Sequence, residues 1–94
     1  MAHMMVRHKV QDFDAWKVVF DEHGSTRRES GCKGGLLFRS AADPNEVVML
    51  LEWDSATNAQ AFLDSQDLGE AMKRSGVADQ PDVYILNEAD RPAQ

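Results

Sequence analysis

An α+β domain with the element order β-α-β-β-α-β is what this sequence predicts, and three observations carry the prediction. The first is Glu46-Val47-Val48-Met49-Leu50-Leu51-Glu52-Trp53, whose five consecutive apolar residues are fenced by Asp43-Pro44-Asn45 and Asp54-Ser55. The run is too short for a helix and well bounded for a strand. The second is the recurrence of Phe13, Trp16, Phe20 and His23 at helical spacing behind Asp12, which reads as a capped amphipathic helix. The third is a pair of short strand-like runs near the two ends, Met5 to Val10 and Val83 to Leu86.

Ninety-four residues suffice for one domain that buries about 60 to 70% of its unfolded surface around a modest core. A content of 43% hydrophobic and 28% charged residues with only three prolines excludes a disordered chain. Acidic residues outnumber basic ones 16 to 10, and the net charge of −6 opposes attraction to nucleic acid or to anionic membranes. No apolar run approaches the roughly 18 residues of a membrane helix, and a signal peptide's basic and apolar regions are missing, so a cytoplasmic protein is expected. The single cysteine, Cys32, agrees with a reducing compartment and reads as a packing residue. Met1-Ala2-His3-Met4 resembles a cloning remnant. Residues 1–4 are therefore expected to be a disordered start, residues 5–88 a single domain and residues 89–94 a flexible tail.

In chain order, Met5 to Val10 alternates Val6, His8 and Val10 against Arg7 and Lys9, as in a half-covered or edge strand. The helix capped by Asp12 carries Arg27 and Arg28 near its end, where they suit the dipole, and should stop by Ser30-Gly31. Gly31-Cys32-Lys33-Gly34-Gly35 leads into a second strand, Leu36 to Arg39. The run lacks the G-K-[ST] ending of a phosphate loop, so its glycines read as structural. Asp43-Pro44-Asn45 then turns the chain back into the central strand. Ser55 caps a helix with Ala59, Phe62 and Leu63 on its apolar side. Ser65-Gln66 interrupts it, and Asp67 with Glu70 resembles a capping box that restarts a helix ending at Gly76. Val83-Tyr84-Ile85-Leu86 is the fourth strand.

This order is a split βαβ unit, a ferredoxin-like sheet of four antiparallel strands with both helices on one face. Period-two alternation points Val47, Met49, Leu51 and Trp53 to one face and Val48, Leu50 and Glu52 to the other. The second face is left bare, and its apolar side chains call for a partner. From Glu52-Trp53-Asp54-Ser55-Ala56-Thr57-Asn58-Ala59-Gln60-Ala61-Phe62, followed by Ser65 and Leu68, the chain resembles the antibiotic-biosynthesis-monooxygenase-like superfamily of dimeric α/β barrels. The resemblance implies a homodimer through the sheet face, with a pocket between sheet and helices in each protomer. It also implies one of several activities, among them cofactor-independent oxygenation of aromatic polyketides, isomerisation and haem degradation. The haem-degrading branch carries an iron-ligating histidine where this chain has Met72, and its first-strand asparagine is missing at Arg7-His8. Haem chemistry is therefore not expected, and no cofactor is assigned.

The candidate catalytic residues are His8 and His23, because each lies on an apolar stripe and imidazole can act as a base near neutral pH. A satisfied core histidine is the competing reading for both. Trp53 is a stacking platform for a flat ligand or simply a large core residue. Arg39 and Tyr84 are candidate polar contacts to an oxygenated ligand, with a surface role and packing as their respective alternatives. The two histidines sit on different elements without a carboxylate at ligand spacing, so no metal site is expected, and no serine lies in a nucleophile-elbow pattern. Two functions follow as expectations: a cofactor-free monooxygenase or isomerase acting on a small aromatic or polyketide-like compound, or a non-catalytic dimeric barrel that binds a ligand or serves in stress.

Overall fold

The computed structural model describes residues 2–93 of the chain. Its elements run β1 (Ala2–Lys9), α1 (Phe13–Glu22), α2 (Gly24–Ser30), β2 (Cys32–Arg39), β3 (Glu46–Trp53), α3 (Ala56–Leu63), α4 (Gln66–Ser75) and β4 (Asp82–Asn87). The strands form a four-stranded antiparallel sheet in the order β2-β3-β1-β4, which is the ferredoxin-like arrangement. No helix among the described residues is long and apolar enough to cross a membrane.

Side-chain alternation decides which face the helices cover. Val47, Met49, Leu51 and Trp53 of β3 are buried, as are Ala2, Met4, Val6 and His8 of β1, and these residues share one core with Trp16, Ala59 and Phe62 from the helices. The opposite face presents Leu36, Leu50, Met5 and Tyr84 as one row across the sheet, with Phe38, Val48, Arg7 and Asp82 as the next. Leu36 (58% exposed), Tyr84 (53%), Phe38 (49%) and Leu86 (40%) stand open on that face, which is far more apolar surface than scattered single residues would present. Arg7 sits among them and is held by Glu46 at 3.3 Å and Asp79 at 2.9 Å, with Asp82 at 3.7 Å.

Capping follows the sequence closely. Asp12 accepts from the Ala15 amide at 3.1 Å, Ser55 from Asn58 at 3.0 Å and Ser65 from Leu68 at 3.2 Å. The cap of α4 is thus Ser65, and Asp67, expected as the cap, lies in the first turn, where its charge still suits the dipole. Gly31 and Gly76 close α2 and α4 in the left-handed conformation. The first predicted helix divides at His23, which joins α1 to α2 and leaves Gly24 to open the second.

The sheet corrects one expectation about β1 and decides another, the half-covered or edge strand, as half-covered. It begins at Ala2, inside the stretch expected to be disordered, because Ala2 and Met4 continue the buried alternation of Val6 and His8; Met1 lies outside the described residues. It is also a central strand between β3 and β4, and its polar alternate positions face the open side rather than an edge. In β2 the glycines are part of the strand, with a register shift between Cys32 and Gly34. Gly35, at φ 155, leaves no space for a side chain: a Cβ there would overlap the Leu50 carbonyl oxygen and come within 2.8 Å of Leu51 Cα. Gly34, at φ 108, has nothing within 4 Å of the same construction. Gly35→Ala should therefore lower stability by roughly 3 kcal/mol, and Gly34→Ala by only about 1 kcal/mol from backbone strain. Urea unfolding of the two variants measures the difference.

Candidate functional site

Between the helix-covered face of the sheet and the helices lies a cavity of about 80 Å³. β1 contributes Met4, Val6 and His8 to its lining, and β3 contributes Met49 and Leu51. Trp16, Val19 and Phe20 of α1, His23 at the helix joint and Arg27 of α2 form one wall, while Phe62, Leu63, Leu68, Ala71 and Met72 of α3 and α4 form another. His8 comes here because it occupies an inward position of β1, and His23 because it continues the apolar stripe Trp16–Phe20 by one further turn.

Both imidazoles are short of partners. His8 is only 2% exposed, its ring meets Trp16 edge-on at 5.6 Å, and its Nδ1 has no hydrogen-bond partner among the described residues. His23 packs against Phe62 at 5.6 Å between ring centroids, and its buried Nε2 is likewise unpaired. Burial pushes the His8 pKa below the ordinary imidazole value, against the opposing pull of Asp79. Burial, assisted by the Arg27 charge, lowers His23 in the same direction. Near neutral pH both rings are therefore uncharged, each with a nitrogen free to accept or donate one proton.

A family sequence model described as antibiotic biosynthesis monooxygenase matches residues 1–74. The chain belongs to the antibiotic biosynthesis monooxygenase family. No match was found among curated protein sequences. Among solved structures, a family protein from Bordetella bronchiseptica is similar at a TM-score of 0.77 with 20% identity, over 94% of this chain and 96% of that one. SnoaB, a cofactor-independent oxygenase from Streptomyces nogalater, is similar at a TM-score of 0.77 with 12% identity, over 99% of this chain and 97% of that one. A protein from Mycobacterium tuberculosis reaches 0.70 with 19% identity, over 98% of each chain. At such identities these likenesses establish the fold.

In this family member the structure brings His8 and His23 to one cavity but separates the other three expected site residues from it. Trp53 is fully buried in the core and packs against Phe62, which does line the cavity, at 5.2 Å; its indole Nε1 is unpaired. Arg39 lies at the sheet edge, its guanidinium 3.9 Å over the Phe13 ring and its Nε donating to the Pro44 carbonyl at 2.9 Å. Tyr84 points to the open face of the sheet, away from the helices, because it holds an outward position of β4. Arg27 was not foreseen, although it falls four residues beyond His23 on the stripe of Trp16 and Phe20, where a charged residue is out of place. A second hollow, of about 370 Å³ and open to solvent, is lined by Glu29, Asp54, Asn58 and Ser65. Asn58 already donates to the Asp54 carboxylate at 3.0 Å, and neither histidine reaches this hollow. Among the described residues no three metal-ligating side chains cluster.

The depressed histidine pKa values have a consequence for stability. The unfolded chain binds these protons more readily than the folded one, so their contribution is present above about pH 6.5 and is lost as the pH falls through the lowered folded values. His8→Leu should accordingly flatten the stability profile between pH 7.5 and 5.5, by at most about 1.4 kcal/mol per pH unit for one proton. Urea unfolding of both proteins across that range tests it.

Proposed function

We propose that the protein is a cofactor-independent monooxygenase that oxidises a small phenol or quinol in the cavity between sheet and helices, with His8 or His23 as the base. The observation that carries this reading is that two histidines with lowered pKa, each with one unpaired ring nitrogen, line one apolar cavity of a chain belonging to this family. Deprotonation makes an electron-rich ring far easier to oxidise by O₂, so such a reaction asks the protein for a base and a dry slot. The balance closes without another reactant: a phenol and O₂ give a quinone and water, one oxygen atom entering the ring and the other leaving as water. The size of the cavity narrows the substrate. About 80 Å³ is roughly half of the 150 Å³ that accommodates benzene in a protein interior. A single ring then requires only that the flexible thioethers of Met4, Met49 and Met72 change rotamer, whereas a three-ring polyketide would require the helices to move.

Oxygen uptake on a panel of hydroquinones and anthrone-like phenols tests the proposal. Turnover of single-ring compounds is expected, falling about 10² to 10⁴-fold in His8→Ala or His23→Ala. No turnover of any phenol, or full activity in both variants, removes the catalytic reading in favour of a binding module.

The working form we propose is a cytoplasmic homodimer that stacks the two open sheet faces. The row Leu36, Leu50, Met5 and Tyr84 and the exposed Phe38 support it, since apolar surface costs about 25 cal/mol per Å² in water. Light scattering at micromolar concentration should report a dimer. Leu50→Asp should dissociate or unfold it by placing an unpaired carboxylate in each copy of the interface.

A further inference from the structure

The charge that lines the cavity is positive and comes from Arg27. This chain carries 16 acidic residues against 10 basic ones, yet among the described residues no carboxylate lines the cavity, and the ionisable groups that do are His8, His23 and Arg27. Arg27 is half-buried with its guanidinium flat over the Phe20 ring, 3.7 Å from the centroid, and Nη1 donates to the Phe20 carbonyl at 2.8 Å. It makes no ion pair among the described residues, and only one of its five N–H donors bonds another protein group there. A half-buried guanidinium without an ion pair has donors to offer an anion, and a carboxylate is the group that matches its planar fork.

Arg27 and His8 stand at the two ends of one aromatic wall. Arg27 covers Phe20, Phe20 stacks on Trp16 at 4.9 Å, and Trp16 meets His8 at 5.6 Å. Building on the cavity proposed above as the substrate site, we infer that its ligand is a single-ring phenolic acid, its carboxylate held by Arg27, its ring against Phe20 and Trp16, and its hydroxyl directed to the bare nitrogen of His8. Arg27 is then the residue that selects for the anion, and the apolar lining admits little beyond the ring.

4-Hydroxybenzoate and 4-hydroxybenzamide differ in charge and share shape and phenol, so they isolate the contribution of Arg27. Calorimetric titration at pH 8, where both imidazoles are neutral, should show the acid binding at least tenfold more tightly than the amide. Arg27→Met should bring the acid down to the level of the amide without changing the amide, and Arg27→Lys, which keeps the charge but loses the fork, should retain part of the preference. The inference is overturned if the acid binds no better than the amide or not at all, or if its advantage survives in Arg27→Met. If Arg27→Met does not fold, the wild-type comparison and Arg27→Lys still decide, because an unchanged preference in Arg27→Lys together with insensitivity to 0.5 M salt would exclude charge pairing. Acid-selective binding without oxygen uptake on any phenol would retain the anchor and remove the oxygenase, and phenol oxidation without anion preference would do the reverse.

Discussion

Period-two alternation in the paired strands β1 and β3 is the constraint on which this molecule depends. With inward residues as apolar as Met4, Val6, Met49 and Leu51, one face of the sheet must lie under the helices. With outward residues such as Met5, Val48 and Leu50, the second face does not suit water either. Slipping β1 by one residue against β3 would exchange Met4 and Val6 for His3, Met5 and Arg7 in the core, so burial itself fixes the register. Everything that lies over the inward face, including the cavity, inherits its position from that pairing.

The same alternation made much of the fold legible in the sequence. β3 could be read to the residue, because its apolar run is bounded by turn formers on both sides, and Asp12 and Ser55 could be read as caps from their places before apolar-periodic segments. The beginning of β1 was obscured because Met1-Ala2-His3-Met4 looks like an appended leader, although Ala2 and Met4 keep the strand's parity. The division of the first helix at His23 was signalled only by Gly24, whose low propensity does not say on which side of a joint it will fall. That His8 and His23 face the layer between sheet and helices was legible because both lie on buried stripes. That Trp53, Arg39 and Tyr84 lie outside the cavity lining was not legible, because strand parity tells which face a side chain takes and not how far along that face a cavity extends. Arg27 escaped notice for a different reason: a basic residue late in a helix has an ordinary electrostatic explanation that conceals its position on the inner stripe.

Placing two imidazoles and a guanidinium against apolar side chains costs stability that a different choice of residues would have kept. Buried polar atoms ordinarily find partners, and three side-chain nitrogens here, on His8, His23 and Trp53, do not. Two of those belong to cavity-lining residues and the third packs directly behind the lining. Elsewhere polar groups are well satisfied: Arg7 is surrounded by carboxylates, and Asn45 joins the β2–β3 turn to the start of α1 by accepting from the Phe13 amide at 3.1 Å. Among the described residues, the unmet hydrogen-bonding capacity of buried side chains is thus concentrated in and behind one cavity wall.

The strand order β2-β3-β1-β4 also has a consequence for how the chain reaches this state. β1 finds no partner among its neighbours in sequence, since β3 lies half the chain away and β4, whose Tyr84 and Val83 pair with Met5 and Val6, lies at the far end. The first ladder closes a loop of about half the chain and the second one of nearly maximal length, and the entropy of closing them must be met before their contacts repay it. Helices and the β2–β3 hairpin can form early from local contacts, while β1 enters the sheet only after most of the chain is available. Until then its inward methionines and valine, together with its unpaired backbone edges, are accessible to other molecules. Topology therefore predicts that nascent and refolding chains are the species most exposed to aggregation and that insertion of the first strand is slow.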